Sequence, residues 1–109
     1  MNQQEIIWAK IPFSNFEEIK IRPAIIISNN KYNNESHDLL ICALTSNLDQ
    51  KGILVDKKNL SSGNLPTASV IRADKILLIN KELVNGAFAR INDDTFDQLI
   101  SKINELISR

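Results

Sequence analysis

Arg22-Pro23-Ala24-Ile25-Ile26-Ile27-Ser28 is the stretch from which the fold can be read. From Ala24 to Ile27 it is wholly apolar and mostly β-branched, and the proline before it fixes φ in an extended-compatible range. Such a run reads as a strand buried on both faces. Its neighbours repeat the pattern. Upstream, Glu5-Ile6-Ile7-Trp8-Ala9-Lys10-Ile11 is a first strand ended by Pro12, and a polar loop follows from Phe13 to Lys20. Downstream, Asn29 to Ser36 reads as loop by its asparagines, and Asp38 to Leu44 as a third, central strand. Gly52 to Val55 is a short fourth strand. Residues 56–67 are polar and close on Ser61-Ser62-Gly63-Asn64-Leu65-Pro66-Thr67, a loop with space for one helical turn. Ala68 to Arg72 and Lys75 to Asn80 form a strand pair or one bent strand. Asn85-Gly86 is the best turn signal and introduces Ala87 to Ile91. With 17 isoleucines against 12 leucines and 3 valines, the composition suits strands.

After residue 91 the period changes. Phe96, Leu99, Ile100, Ile103, Leu106 and Ile107 fall on one face of an α-helix over about 93–107. Asn92 is a good N-cap, and Asp93 and Asp94 suit the positive end of the helix dipole. Strands grouped together with a helix at the end predict a small, curled antiparallel sheet with the helix packed against it.

The chain has 109 residues, which is room for a single domain, 1–109. At 43% hydrophobic and 24% charged it has the balance of a soluble globular domain rather than a disordered one. Its longest apolar run, Leu39 to Leu44, is six residues, well short of a membrane span, and the N-terminus lacks a basic n-region; a cytoplasmic location is expected. One cysteine, Cys42, precludes an internal disulfide and reads as a buried, inert thiol. With one cysteine and one histidine the chain lacks the ligands of a structural zinc site, and neither a metal nor another cofactor is expected. A net charge of zero advertises no polyanionic partner, so any such affinity has to be local.

Individual residues are ambiguous. Arg22, ahead of a proline on a rigid strand, can grip a phosphate bidentately or pair with Glu17 or Glu18. Thr45 and Ser46 end the central strand, where hydroxyls either donate to phosphate oxygens or bond to nearby backbone. His37 reads as a solvated loop residue and Ser69 as a strand serine. A few of the scattered cations could line one groove with Phe16 or Tyr32 stacking on a base.

The order of these pieces resembles the MazF/PemK family of toxin–antitoxin endoribonucleases, from about Ile6 to the C-terminal helix. Ile6-Ile7-Trp8-Ala9 is similar to the family's opening strand and Arg22-Pro23-Ala24-Ile25-Ile26-Ile27-Ser28-Asn29 to its most recognisable motif. Leu44-Thr45-Ser46, Ser69-Val70-Ile71-Arg72-Ala73-Asp74-Lys75 and Val84-Asn85-Gly86 follow in the family's order. The resemblance implies a mainly β fold with a C-terminal α-helix, a small SH3-like barrel that dimerises across its sheet. It also implies the toxin of a type II toxin–antitoxin system, a metal-independent, sequence-selective endoribonuclease. Such an enzyme cleaves single-stranded mRNA to 2′,3′-cyclic phosphate and 5′-OH ends. Arg22 and Thr45 match the family's catalytic positions, and Lys20, Asn29, Ser46, Lys51 and Lys75 are expected to contact RNA. Expected partners are the RNA, a cognate antitoxin and a second copy of the chain. The chain departs from the family at Gln4-Glu5, where relatives carry Gly-Asp, and at Lys75 and Leu77, where several carry Gln and Arg. Two other readings share the fold: a CcdB-like toxin that binds gyrase without catalysis, and an SH3-like binding module that has lost it. CcdB-like chains end in a Trp-bearing helix tail, whereas here the tryptophan is Trp8 and the end is Leu106-Ile107-Ser108-Arg109.

Overall fold

The computed structural model describes residues 1–12 and 19–109. The expected loop residues 13–18 lie outside it, and with them Phe16 as a stacking candidate and Glu17 and Glu18 as partners for Arg22. Seven strands occur: β1 (Glu5–Pro12), β2 (Ile19–Ile26), β3 (Asp38–Thr45), β4 (Ile53–Val55), β5 (Leu60–Gly63), β6 (Ser69–Asn80) and β7 (Val84–Ile91). A one-turn helix α1 (Asn30–Glu35) separates β2 from β3, and α2 (Asp93–Ile107) follows β7. The sheet is antiparallel throughout, in the order β4-β6-β3-β2-β1-β7-β5.

Alternation along the strands sorts apolar side chains onto two faces. Ile6, Ile25, Cys42, Leu44, Ile71 and Ile91 point into the curl of the sheet and meet Phe96, Leu99 and Ile103 of α2. Ile7, Ala9, Ile11, Ala24, Ile26, Leu39, Ile41 and Ile79 form a second apolar layer on the opposite face. This two-sided burial is why Ala24 to Ile26 carries no polar residue. Each fully buried Leu or Ile contributes about 1.5–3 kcal/mol relative to an exposed one.

The sheet's two edges, β4 and β5, are joined by a single 3₁₀ turn, Lys57–Asn59, so the sheet curls into a nearly closed barrel. A reciprocal cap fixes that turn: Lys58 N–H donates to the Asp56 carboxylate (3.0 Å) and Asp56 N–H to Asn59 Oδ1 (3.0 Å). α2 is tied across the seam, with Asn92 N–H on the Asn59 carbonyl (2.8 Å) and Asn59 Nδ2 donating to Thr95 Oγ1 (3.1 Å). Asn92 caps α2 as its sequence indicates, accepting from Thr95 N–H at 2.9 Å.

The structure departs from the sequence reading in four places. β2 begins at Ile19, before the proline, because β1 supplies a ladder for Ile19 to Ile25. The asparagine-rich stretch is α1, not loop. Asn29 caps it by accepting from Tyr32 N–H (2.8 Å), and buried Asn33 gives its Nδ2 to the Ser28 carbonyl (2.9 Å) and accepts from Ser28 Oγ (2.5 Å). These local side-chain bonds, a cap and a Ser28–Asn33 pair, hold the segment helical despite the turn preference of asparagine. Leu60–Gly63 is a strand because β7 offers it an edge, although its own pattern shows no alternation. Asn85-Gly86 lies inside β7, where Gly86 at φ +119° accommodates a shift in the β1–β7 register. The reversal is made one step earlier by the 3₁₀ turn Lys81–Leu83, capped by Asn80, whose Oδ1 accepts from Glu82 N–H at 2.8 Å.

Candidate functional site

Two strands part at the candidate site. The β2–β3 ladder pairs Ile26 with Ile41, Ile25 with Cys42 and Ala24 with Ala43, and ends there. The next residue on β2 is Pro23, which has no N–H to donate. Beyond it each strand keeps only its outer partner, Arg22 opposite Ala9 and Thr45 opposite Val70. Arg22 and Thr45 thus flank the opening between β2 and β3.

A cleft opens on each side of that pair. The larger, about 230 Å³, is lined by Trp8, Pro23, Leu65, Pro66 and Phe88, with the hydroxyls of Ser46, Thr67 and Ser69. The smaller, about 160 Å³, is lined by Ile11, Ala43, Gln50, Arg72 and Lys75. Arg22, Leu44 and Thr45 line both. One cleft is aromatic and apolar, the other cationic, and the two share a wall.

Local chemistry holds that wall in place. Arg22 is half-buried, with its Nε shielded from solvent, so the guanidinium is held rather than waving in water. Thr45 Oγ1 accepts from Asn47 N–H (3.1 Å), which fixes the side chain and leaves its own proton to be donated. The turn-forming and donor roles of this threonine are therefore compatible. Arg72 and Lys75 reach the cationic cleft because the β3–β6 register jumps between Cys42↔Ile76 and Leu44↔Ile71, so residues 72–75 bulge opposite Ala43. Arg72 forks onto Asp74, Nε to Oδ1 at 2.9 Å and Nη2 to Oδ2 at 3.1 Å. That hydrogen-bonded guanidinium holds the Asp74 carboxyl below its usual range, and Asp74 raises Arg72 in turn.

Of the residues singled out in the sequence, Arg22, Thr45, Ser46 and Lys75 come together on these clefts. Lys20 is exposed on the same face of β2 as Arg22, opposite Ile11 of the cationic cleft. Lys51 is exposed beside Gln50 and lines neither cleft. Asn29 lies past the far end of β2 and caps α1, and Tyr32 belongs to that helix as well. His37, likewise exposed, precedes β3 at the end opposite Thr45. Ser69 opens β6, is buried, and donates to the Thr67 carbonyl at 3.0 Å. Cys42 is fully buried, and burial, with Asp74 adding repulsion, pushes its thiol up to about 12. The sequence reading had Arg72 only among the scattered cations that could line a groove, and it missed Gln50, Trp8 and Phe88. The bend between Arg72 and Lys75 was visible, but not the direction in which it aims them. Trp8 and Phe88 are too far apart in the chain for any local signal. Among the described residues no cluster of three or more His, Cys, Asp or Glu side chains is placed to hold a metal ion.

A curled seven-stranded antiparallel sheet with a C-terminal helix packed on it, and an Arg–Thr pair where two strands part, defines a small, nearly closed β-barrel with a cleft at that opening. The family model of PemK-like, MazF-like toxins of type II toxin–antitoxin systems matches residues 2–107, and the chain belongs to that family. Among solved structures it is similar to MazF from Deinococcus radiodurans (TM-score 0.77, 18% identity, covering 100% of this chain and 97% of that one). It is also similar to the Mycobacterium tuberculosis toxin MazF-mt6 (TM-score 0.75, 16% identity, 93% of each chain). A mycobacterial endoribonuclease in complex with its cognate antitoxin gives a TM-score of 0.73 at 16% identity over 96% of this chain and 92% of that one. A sequence search of the curated proteins finds no match. Among the described residues no helix is long and apolar enough to cross a membrane.

Proposed function

We propose that this protein is the toxin of a type II toxin–antitoxin pair and acts as a metal-independent, sequence-selective endoribonuclease on single-stranded mRNA. The observation that carries the reading is the placement of Arg22 and Thr45 on the wall between an aromatic and a cationic cleft. In the reaction the ribose 2′-OH gives up its proton to solvent as it attacks the adjacent phosphorus, the bond to the 5′ oxygen breaks, and that oxygen takes a proton from solvent and leaves as an alcohol. The products are a 2′,3′-cyclic phosphate and a 5′-OH end. The substrate supplies the nucleophile, so the protein's task is to hold the phosphate in line and stabilise the charge of the phosphorane. Arg22 is the cation for that charge and the Thr45 hydroxyl the neutral donor. No described residue lining either cleft is a carboxylate or an imidazole, and Arg22 is too weak an acid to serve as base. Catalysis here is assigned to charge and geometry.

The antitoxin, in this reading, lays an acidic, apolar-studded tail along the same clefts. The antitoxin complexes among the similar structures support such a partner. A second copy of the chain is the remaining partner. Exposed Ile76 and Leu78 on one face of β6, and Leu106 and Ile107 at the end of α2, offer it apolar surface. The location assigned is the cytoplasm, where mRNA is found.

The first test is to incubate the purified protein with a long single-stranded RNA in EDTA and map the new 5′ ends. Discrete cuts at a repeated short motif, each with a 5′-OH, are expected. Arg22→Ala and Thr45→Ala should each lower the rate at least about a hundredfold, the usual cost of a transition-state donor. Full cleavage by the double variant would move the site elsewhere. Intact RNA from the folded wild-type protein would overturn the nuclease reading and favour a protein target.

A further inference from the structure

The proposed chemistry leaves one wall of the larger cleft without a role, and that wall is aromatic. Trp8 on β1 and Phe88 on β7 stack with ring centroids 4.7 Å apart and planes inclined by 19°. Trp8 keeps 37% of its surface exposed although its chain neighbours Ile7 and Ala9 are fully buried. Pro23, directly across the ladder from Trp8, continues the apolar surface toward Arg22. Ser46 and Thr67, both hydroxyl-bearing, line the same cleft, and Arg72 and Lys75 lie beyond the Arg22–Thr45 wall. A flat π-surface, hydrogen-bonding hydroxyls and an adjoining cationic cleft correspond to the three parts of one nucleotide: base face, base edge and phosphate.

We propose that the Trp8–Phe88 ledge is a base-stacking subsite, holding the unpaired base next to the phosphate gripped by Arg22 and setting which base is accepted there. The inference rests on the RNA-cleaving reading above and gives its substrate a position. Stacking alone tolerates every base, because all have a π-face. Selectivity at this subsite therefore comes from the hydroxyl-bearing residues Ser46 and Thr67 and from the limited volume of the cleft, about 230 Å³. The cationic cleft next door favours a ligand that carries one phosphate per stacked unit over an apolar peptide side chain.

Trp8 is the only tryptophan, so its emission reports on the ledge directly. The probes are short single-stranded oligodeoxynucleotides, one homopolymer of each base, which lack the 2′-OH and cannot be cut, together with an abasic strand of equal length. Base-bearing strands are expected to quench Trp8, and the abasic strand to bind without quenching it. Phe88→Leu and Trp8→Leu should weaken base-bearing strands by about 5- to 150-fold, the range found for losing one stacking partner, and leave the abasic strand unaffected. Trp8→Phe should restore binding, which a merely structural role for the indole would not predict. Phe88 is only half-buried, so its variant carries the test if Trp8→Leu fails to fold. RNA cleavage run in parallel separates the failures. If wild type cuts RNA and both leucine variants cut the same sites at the same rate, the ledge is wrong and the nuclease stands. If wild type neither cuts RNA nor binds any strand, both fall. If an acidic, apolar peptide quenches Trp8 and nucleic acid does not, the ledge is a protein-docking surface and the proposal is overturned.

Discussion

Gln4 adopts φ +78°, a left-handed backbone that a side-chain-bearing residue enters at a cost of about 1 kcal/mol or more. Here the buried side chain offsets the strain, Nε2 donating to the Ile91 carbonyl (3.0 Å) and to Asp93 Oδ1 (3.1 Å). Gln4→Ala should therefore lose about 1–3 kcal/mol, keeping the strain without the bonds. Gln4→Gly should be less damaging than alanine by about 1 kcal/mol, because it relieves the backbone. Urea unfolding of the two variants decides this; alanine equal to or better than glycine would show that no strain is stored. Asp74 presents another residue-scale question, since it neutralises Arg72 at the cationic cleft. Its lowered pKa keeps the ion pair intact throughout neutral pH; it is lost only as pH falls through the folded-state value. Asp74→Asn should tighten single-stranded RNA binding severalfold at low salt and steepen its salt dependence by about one phosphate contact, a slope change near 0.7. An unchanged slope would place Arg72 off the RNA path.

At the scale of elements, the β5–β7 pairing is a boundary that a single added atom would disturb. A Cβ on Gly63 would stand 2.2 Å from the Phe88 carbonyl oxygen and 2.5 Å from Ala89 Cα, and Gly63 has φ +77°. Neither obstacle is a flexible side chain. Gly63→Ala is expected to cost more than about 2 kcal/mol and to lower the midpoint of thermal unfolding accordingly; a midpoint within a degree or two of wild type would show that the seam can open without penalty. This seam also illustrates where sequence reading stopped. Strands with strong apolar patterns, such as β1, β3 and the heart of β2, were legible, as was the 3.6-residue period of α2 with its Asn92 cap. β5 was not, because Leu60-Ser61-Ser62-Gly63 becomes a strand only through the partner it meets. α1 was not, because its asparagines are satisfied by Ser28 and the backbone rather than by a turn. The candidate site divided in the same way. Arg22 and Thr45 were named through a family pattern, while Trp8, Phe88 and Arg72 gain their meaning from cross-strand neighbours and a bulge.

For the whole molecule, the two clefts are products of topology. Trp8 and Arg22 come from neighbouring strands, Thr45 from the next, and Phe88 from the other flank of β1. A chain with no net charge still presents a cationic cleft, because the β6 bulge and the parting of β2 from β3 gather its cations locally. Translation delivers β1 first and β7 nearly last, yet the two must pair, and the bonds from Gln4 to Ile91 and Asp93 bridge 87 and 89 residues. Until Phe88 has emerged, the nascent chain carries an open edge at β1 and lacks half of its aromatic ledge. Pairing across so much intervening chain is slow compared with helix formation. An unfinished copy therefore lacks the aromatic wall of the larger cleft, and that wall exists only once the last strand has paired with the first.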